Sequence, residues 1–208
     1  MLIEERGRRL VKLARDTIAV ALGVRGRAVP APDPTSEAWL LELAATFVTV
    51  HRLDRLHGCI GSIEPRRTLF DDVRSNASAA VLLDPRATPL HASDFEDLRV
   101  EVSLLSRLEP LEVRDEQDAL AHLRPGRDGV VFACGGRRAT FLPQVWDSLP
   151  APLDFMAELK QKAGFPADFW STAVRLSRYS LQKWSDDDLP RSTRPPGAPS
   201  GRDRLELT

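Results

Sequence analysis

Residues 46–63 read Thr46-Phe47-Val48-Thr49-Val50-His51-Arg52-Leu53-Asp54-Arg55-Leu56-His57-Gly58-Cys59-Ile60-Gly61-Ser62-Ile63. The first six alternate β-branched and other side chains, which predicts a strand. Arg52 to Arg55 predict a turn, and Leu56 to Ile63 a returning strand softened by its glycines. Pro65 ends it. Thr68 is a good N-cap for a helix to about Leu83, with Leu69, Val73, Ala77, Ala80 and Val81 on one face. Asp71 and Asp72 fall in its first turn, where the helix dipole favours carboxylates. A hairpin followed directly by a helix is the nucleus of an α+β arrangement.

The flanks extend the same reading. Residues 4–22 carry Leu10, Val11, Leu13, Ala14, Ile18, Ala21 and Leu22 at helical spacing, and Gly23 is a stop signal. Residues 24–36 are proline-rich and aperiodic, predicting an extended linker. A short helix is expected over Glu37 to Ala45. Downstream, 84–89 predicts a loop, Ser93 to Asp97 a turn, Leu98 to Leu105 a strand, and Asp118 to Leu123 a helical turn. Val130–Cys134 and Arg137–Leu142 flank Gly135-Gly136, a hairpin-turn dipeptide. Asp154–Ala163 predicts a helix closed by Gly164, and Ala173–Trp184 one strand with an irregularity. The expectation is an α+β domain over residues 1–184, a mixed or antiparallel sheet with flanking helices. Residues 185–208, rich in proline, glycine and charge, predict a disordered tail.

Composition narrows the function classes. The chain has 208 residues, 42% hydrophobic and 28% charged, which is ordinary globular composition. No apolar stretch approaches the ~18 residues of a membrane span. The opening Met1-Leu2-Ile3-Glu4-Glu5-Arg6 is acidic where a secretory leader is basic, so a cytoplasmic protein is expected. A formal charge of −1 gives no general drive toward phosphate backbones, which makes nucleic acid a remote alternative. Two cysteines are too few for a disulfide scaffold or a thiolate zinc cage.

Four constellations carry possible chemistry. In a strand, His57, Cys59 and Gly61 share a face, and the glycines leave the backbone beside the sulfur uncrowded. A cation two residues away would favour the thiolate. Cys59 is therefore either a reactive or ligand-binding thiol in a backbone notch, or a small hydrophobe beside a bulge. His51, His57 and Cys59 lack metal-motif spacing, and surface or capping roles suit the histidines better. Gly135-Gly136-Arg137-Arg138 reads as a turn with solvated arginines rather than an anion clamp. Asp84-Pro85-Arg86 presents Arg86 rigidly, either to an anionic group or to a local carboxylate. No phosphate-cradling or dinucleotide loop and no nucleophile elbow occurs, so no cofactor is expected.

The ordered set of motifs resembles the AMMECR-one domain family, the A component of the AmmeMemoRadiSam system. The family hallmark Leu-Arg-Gly-Cys-Ile-Gly-Thr/Ser stands here as Leu56-His57-Gly58-Cys59-Ile60-Gly61-Ser62. Phe47-Val48-Thr49-Val50, Asp84-Pro85-Arg86, Leu98 to Ser106, Pro125-Gly126-Arg127-Asp128-Gly129 and Phe141-Leu142-Pro143-Gln144-Val145-Trp146 agree with it, over about residues 8–184. Two departures stand out: His57 replaces the usual arginine and Ala87 the usual aromatic. Arginine cannot act as a base at neutral pH, so a mechanism shared with the family does not need one at position 57. The resemblance implies an α+β fold with a larger and a smaller lobe, no established activity, and Memo-like and radical SAM proteins as partners. It favours a functional role for Cys59, and the candidate binding residues are His57, Gly58, Ile60, Gly61, Ser62 and Arg86. The alternative is a cysteine-dependent enzyme with Cys59 as nucleophile or redox centre.

Overall fold

A computed structural model describes residues 3–53, 55–83 and 88–188. The chain forms two compact units, one of residues 1–104 with 183–208 and the other of residues 105–182. In the first unit, α1 (Ile3–Ala21) leads through a 3-10 turn, Ala38–Leu41, to the two-residue strand β1 (Leu43–Ala44). The hairpin β2 (Thr46–Arg52) and β3 (Arg55–Gly61) follows, then β4 (Arg67–Thr68), α2 (Leu69–Leu82) and β5 (Leu98–Leu105). The second unit holds β6 (Glu109–Leu111), α3 (Glu116–His122), β7 (Gly129–Cys134), β8 (Arg137–Phe141), α4 (Pro152–Lys162) and β9 (Arg175–Tyr179). The final strand, β10 (Leu181–Ser185), returns to the first sheet, whose order is β10-β5-β2-β3. The second sheet runs β6-β9-β7-β8; β2 pairs antiparallel with β3 and β5, β9 with β6 and β7, and β7 with β8.

The fold is therefore α+β, as the alternation of hairpins and helices predicts. Val48 and Val50 of β2 and Val100 and Val102 of β5 face α1 and α2. They share a core with Leu10, Val11, Ile18, Val73, Ala77 and Ala80, each essentially inaccessible. Thr68 caps α2 as expected, its side chain accepting from the Asp71 backbone N–H. Gly135 and Gly136 form the β7–β8 turn with φ of 53° and 80°, the pair of positive values that a two-residue hairpin with native twist requires.

Three expectations need correction. Glu37 to Ala45 is a 3-10 turn and a short strand, not one helix. Ala173 to Trp184 is not one strand: β9 joins the second sheet, and after Ser180 the chain enters the first as β10. Residues 185–188, expected in the tail, are in regular structure: Ser185 ends β10 and Asp186–Asp188 form a 3-10 turn. Asp186 there accepts from the Val100 N–H at 2.8 Å and from Arg15 at 2.6 Å. Residues 189–208 lie outside the described residues. No helix among the described residues is long and apolar enough to cross a membrane.

The chain's single tyrosine probes the second core. Tyr179 is 2% exposed, and its hydroxyl donates to the Phe141 carbonyl at 3.2 Å and lies 3.0 Å from the Thr140 hydroxyl. Burial pushes its phenol up from 10.0 to about 12, partly offset by the Thr140 contact. The phenolate is the disfavoured form, so this contribution to stability is complete below pH ~10 and is lost as pH rises toward the folded value. Absorbance at 295 nm should show no tyrosinate in the native protein at pH ~10.5, whereas the urea-unfolded chain is mostly ionised there. Half-ionisation near pH ~10 in folded protein contradicts this packing.

Candidate functional site

β3 ends its sheet and lies beside β2 with Thr49 opposite Cys59, Phe47 opposite Gly61, and Val50 opposite Gly58. Directly opposed residues share a face. Cys59 therefore lies with Thr49 on the face turned away from α1 and α2, and Gly58 lies with Val50 on the core side. The sulfur is half-buried, whereas Cys134 is buried at 9% exposure. The Thr49 hydroxyl donates to the Cys59 sulfur at 3.3 Å. Glu101 continues the row, paired in register with Thr49 and ion-paired with Lys183. Two strand spacings put its backbone roughly 10 Å from that of Cys59, so it is a neighbour in the row and not a base in contact.

A bulge sits two residues from the thiol. Val50 opposes Gly58 but His51 opposes Leu56, so His57 is the extra residue of β3. The strand alternation expected to put His57 beside Cys59 is interrupted there. His57 is 9% exposed, and Leu56 next to it is 58% exposed. On the Thr49 side, His51 keeps a buried Nδ1 with no hydrogen-bond partner among the described residues. No group of three His, Cys, Asp or Glu among those residues is placed to hold a metal ion.

The rest of the hallmark holds the strand in place. A Cβ on Gly61 would lie 2.3 Å from the Phe47 ring and 2.6 Å from the Thr46 carbonyl oxygen. The glycine reads in the sequence as an opening; in the fold, Phe47 fills that space. Ile60 packs on the core from the other side. Ser62 donates to Asp72 at 2.7 and 2.8 Å, and its backbone N–H donates to the Thr46 carbonyl at 3.0 Å. Arg86, the remaining candidate binding residue, lies outside the described residues.

Asp72 is the residue that sequence reasoning placed only as a favourable first-turn charge. It is 1% exposed. It accepts from the Thr46 N–H at 2.8 Å, the Thr46 hydroxyl at 2.7 Å and Asn76 Nδ2 at 2.9 Å, and Arg67 reaches it at 3.2 Å. Asn76 also donates to the Thr46 carbonyl at 3.0 Å. The start of β2, the end of the hallmark and the first turns of α2 are thus tied at one carboxylate. The available signal was the spacing: Asp72 and Asn76 are four apart beside the apolar stripe of α2, where exposed polar residues are not expected.

A family model described as AMMECR1 matches residues 11–184. A protein of Methanothermobacter thermautotrophicus is 34% identical over 193 residues, covering 89% of this chain and 97% of that one. A Thermotoga maritima protein is 32% identical over 161 residues, covering 76% and 87%. Among solved structures, the uncharacterized protein PH0010 from Pyrococcus horikoshii superposes with a TM-score of 0.75 at 29% identity, over 87% of this chain and 91% of its own.

Removing the buried acceptor should cost the first unit dearly. Asp72→Ala is expected to lower the unfolding free energy by ~2–4 kcal/mol in urea titrations, because several buried donors lose a charged acceptor while half-exposed Arg67 can still reach water. A loss below ~1 kcal/mol contradicts the tie. Gly61→Ala should destabilise by ~1–3 kcal/mol, and adding Phe47→Ala should recover only part, since the Thr46 carbonyl cannot move aside like a side chain.

Proposed function

The chain belongs to the AMMECR1 family, and from that membership and the placement of Cys59 we propose that it acts as a component of an AmmeMemoRadiSam pathway through that thiol. Cys59 is the point that Memo-like and radical SAM partners recognise, or the atom they modify. The observation carrying this reading is that Cys59 is half-buried on the sheet face away from the helices, its sulfur directed by the Thr49 hydroxyl at 3.3 Å. The residues around it anchor the strand: Gly61 receives Phe47, Ile60 enters the core, and Ser62 binds Asp72. A rigid strand presenting one polarisable side chain suits a protein that is acted upon. The cytoplasm, where thiols stay reduced, suits it too.

A second reading has its own support. A hydroxyl donating to sulfur stabilises negative charge there during substitution or exchange, so Cys59 also suits the nucleophile or redox centre of an enzyme. The bulge at His57 leaves general-base chemistry from that position unsupported by strand geometry.

Brief alkylation of native protein across pH 6–9, read by mass spectrometry, should label Cys59 well ahead of Cys134. Both cysteines reacting only after unfolding ends both readings. Tagged protein should retain Memo-like and radical SAM proteins from its own cells, and Cys59→Ser should weaken that retention while leaving the melting curve in place. Retention of neither partner, together with selective labelling and turnover of an electrophilic substrate, decides for the enzyme.

A further inference from the structure

A groove of about 620 Å³ opens in the first unit, and Cys59 is not among its lining residues. One wall is the last turns of α1 and the segment after it, with Val20, Ala21 and Val29; the other is the exposed side of α2, with Arg74, Ser75 and Ser78. Three arginines line it, Arg27, Arg67 and Arg74, against one aspartate, Asp71.

Their commitments differ. Arg67 is spent, donating to the Ser75 hydroxyl and pairing with Asp72 at 3.2 Å. Arg27 and Arg74 are not. Arg27 lies 3.6 Å from Asp16 and Arg74 lies 3.8 Å from Asp71, too far for hydrogen bonds. Each guanidinium is instead held over a ring, Arg27 over Phe95 at 5.5 Å and Arg74 over Phe70 at 5.1 Å. Stacking orients the guanidinium plane and leaves its edge donors available. Asp71, the one carboxylate lining the groove, takes a hydrogen bond from the Thr68 hydroxyl at 2.8 Å, which turns it toward the start of α2, and Asp16 is held by Lys12 at 2.5 Å.

We infer that this groove binds a small phosphomonoester, its phosphoryl oxygens taken by Arg27 and Arg74 and its apolar body laid against Val20, Ala21 and Val29. Two guanidiniums supply more donors than a carboxylate has oxygens, whereas a phosphoryl group offers three acceptors and a charge between one and two. The groove's volume lies within the usual range for small-molecule sites. This site is independent of the role of Cys59, and Cys59→Ser should leave it unchanged.

The test is a titration of the full chain, labelled with nitrogen-15, with phenyl phosphate, followed by amide shifts. The shifts should localise to residues 17–29 and 67–78, and binding should weaken as salt rises. Arg27→Gln and Arg74→Gln should each raise Kd about tenfold with melting unchanged, and Arg74→Lys, which keeps charge but loses the stacked fork, should fall between. Inorganic phosphate, lacking the apolar body, and benzoate, with two oxygens, should both bind more weakly. Absence of shifts, shifts elsewhere, benzoate binding as tightly as phenyl phosphate, or indifference to both glutamine variants overturns the proposal.

Discussion

A carboxylate taken out of water must be surrounded by donors, and the first unit is arranged around that demand at Asp72. Its partners come from three places that sequence order keeps apart: the first residue of β2, the serine closing the hallmark, and the next turn of α2. Arg67 neutralises the charge from the half-exposed side, which leaves the ion pair partly hydrated. Once Thr46 is fixed, the register of β2 against β3 and β5 follows, because each further pair alternates faces and a slip by one would turn Val48 and Val50 away from the helices. The position of Cys59 opposite Thr49 is thus a result of a hydrogen-bond arrangement on the other side of the sheet.

Much of this was legible in the residues. The β2–β3 hairpin, the capped helix α2, the strand at Leu98–Leu105 and the Gly135-Gly136 turn all declare themselves through local chemistry. What escaped depends on partners distant in sequence. Ser180 carries no turn signal of its own, and a chain that leaves one sheet for another stays extended, so β9 and β10 look continuous. The bulge at His57 exists only relative to β2. Gly61 shows the limit most plainly: an absent side chain reads equally as an opening or as room for a neighbour, and only the ring of Phe47 decides.

If Cys59 acts as proposed, the hallmark divides into scaffold and chemistry. Ile60, Gly61 and Ser62 have packing or hydrogen-bonding work that accounts for them without any ligand. Cys59 is half-buried with its sulfur against the Thr49 hydroxyl, and the second cysteine of the chain, in the other unit, lies deeper. A short motif can hold several residues for the sake of one.

The passage from β9 to β10 has a further consequence, in time rather than space. Residues 105–182 are an insertion within the first unit, whose sheet waits for β10 before its order is complete. As synthesis proceeds, the inserted portion is complete in sequence while the earlier one still lacks an outer strand, the Trp184 ring that packs against Gly7, and the Asp186 acceptor for Arg15 and Val100. A chain ending at residue 182 would thus hold every strand of the second sheet and lack most of the last strand of the first.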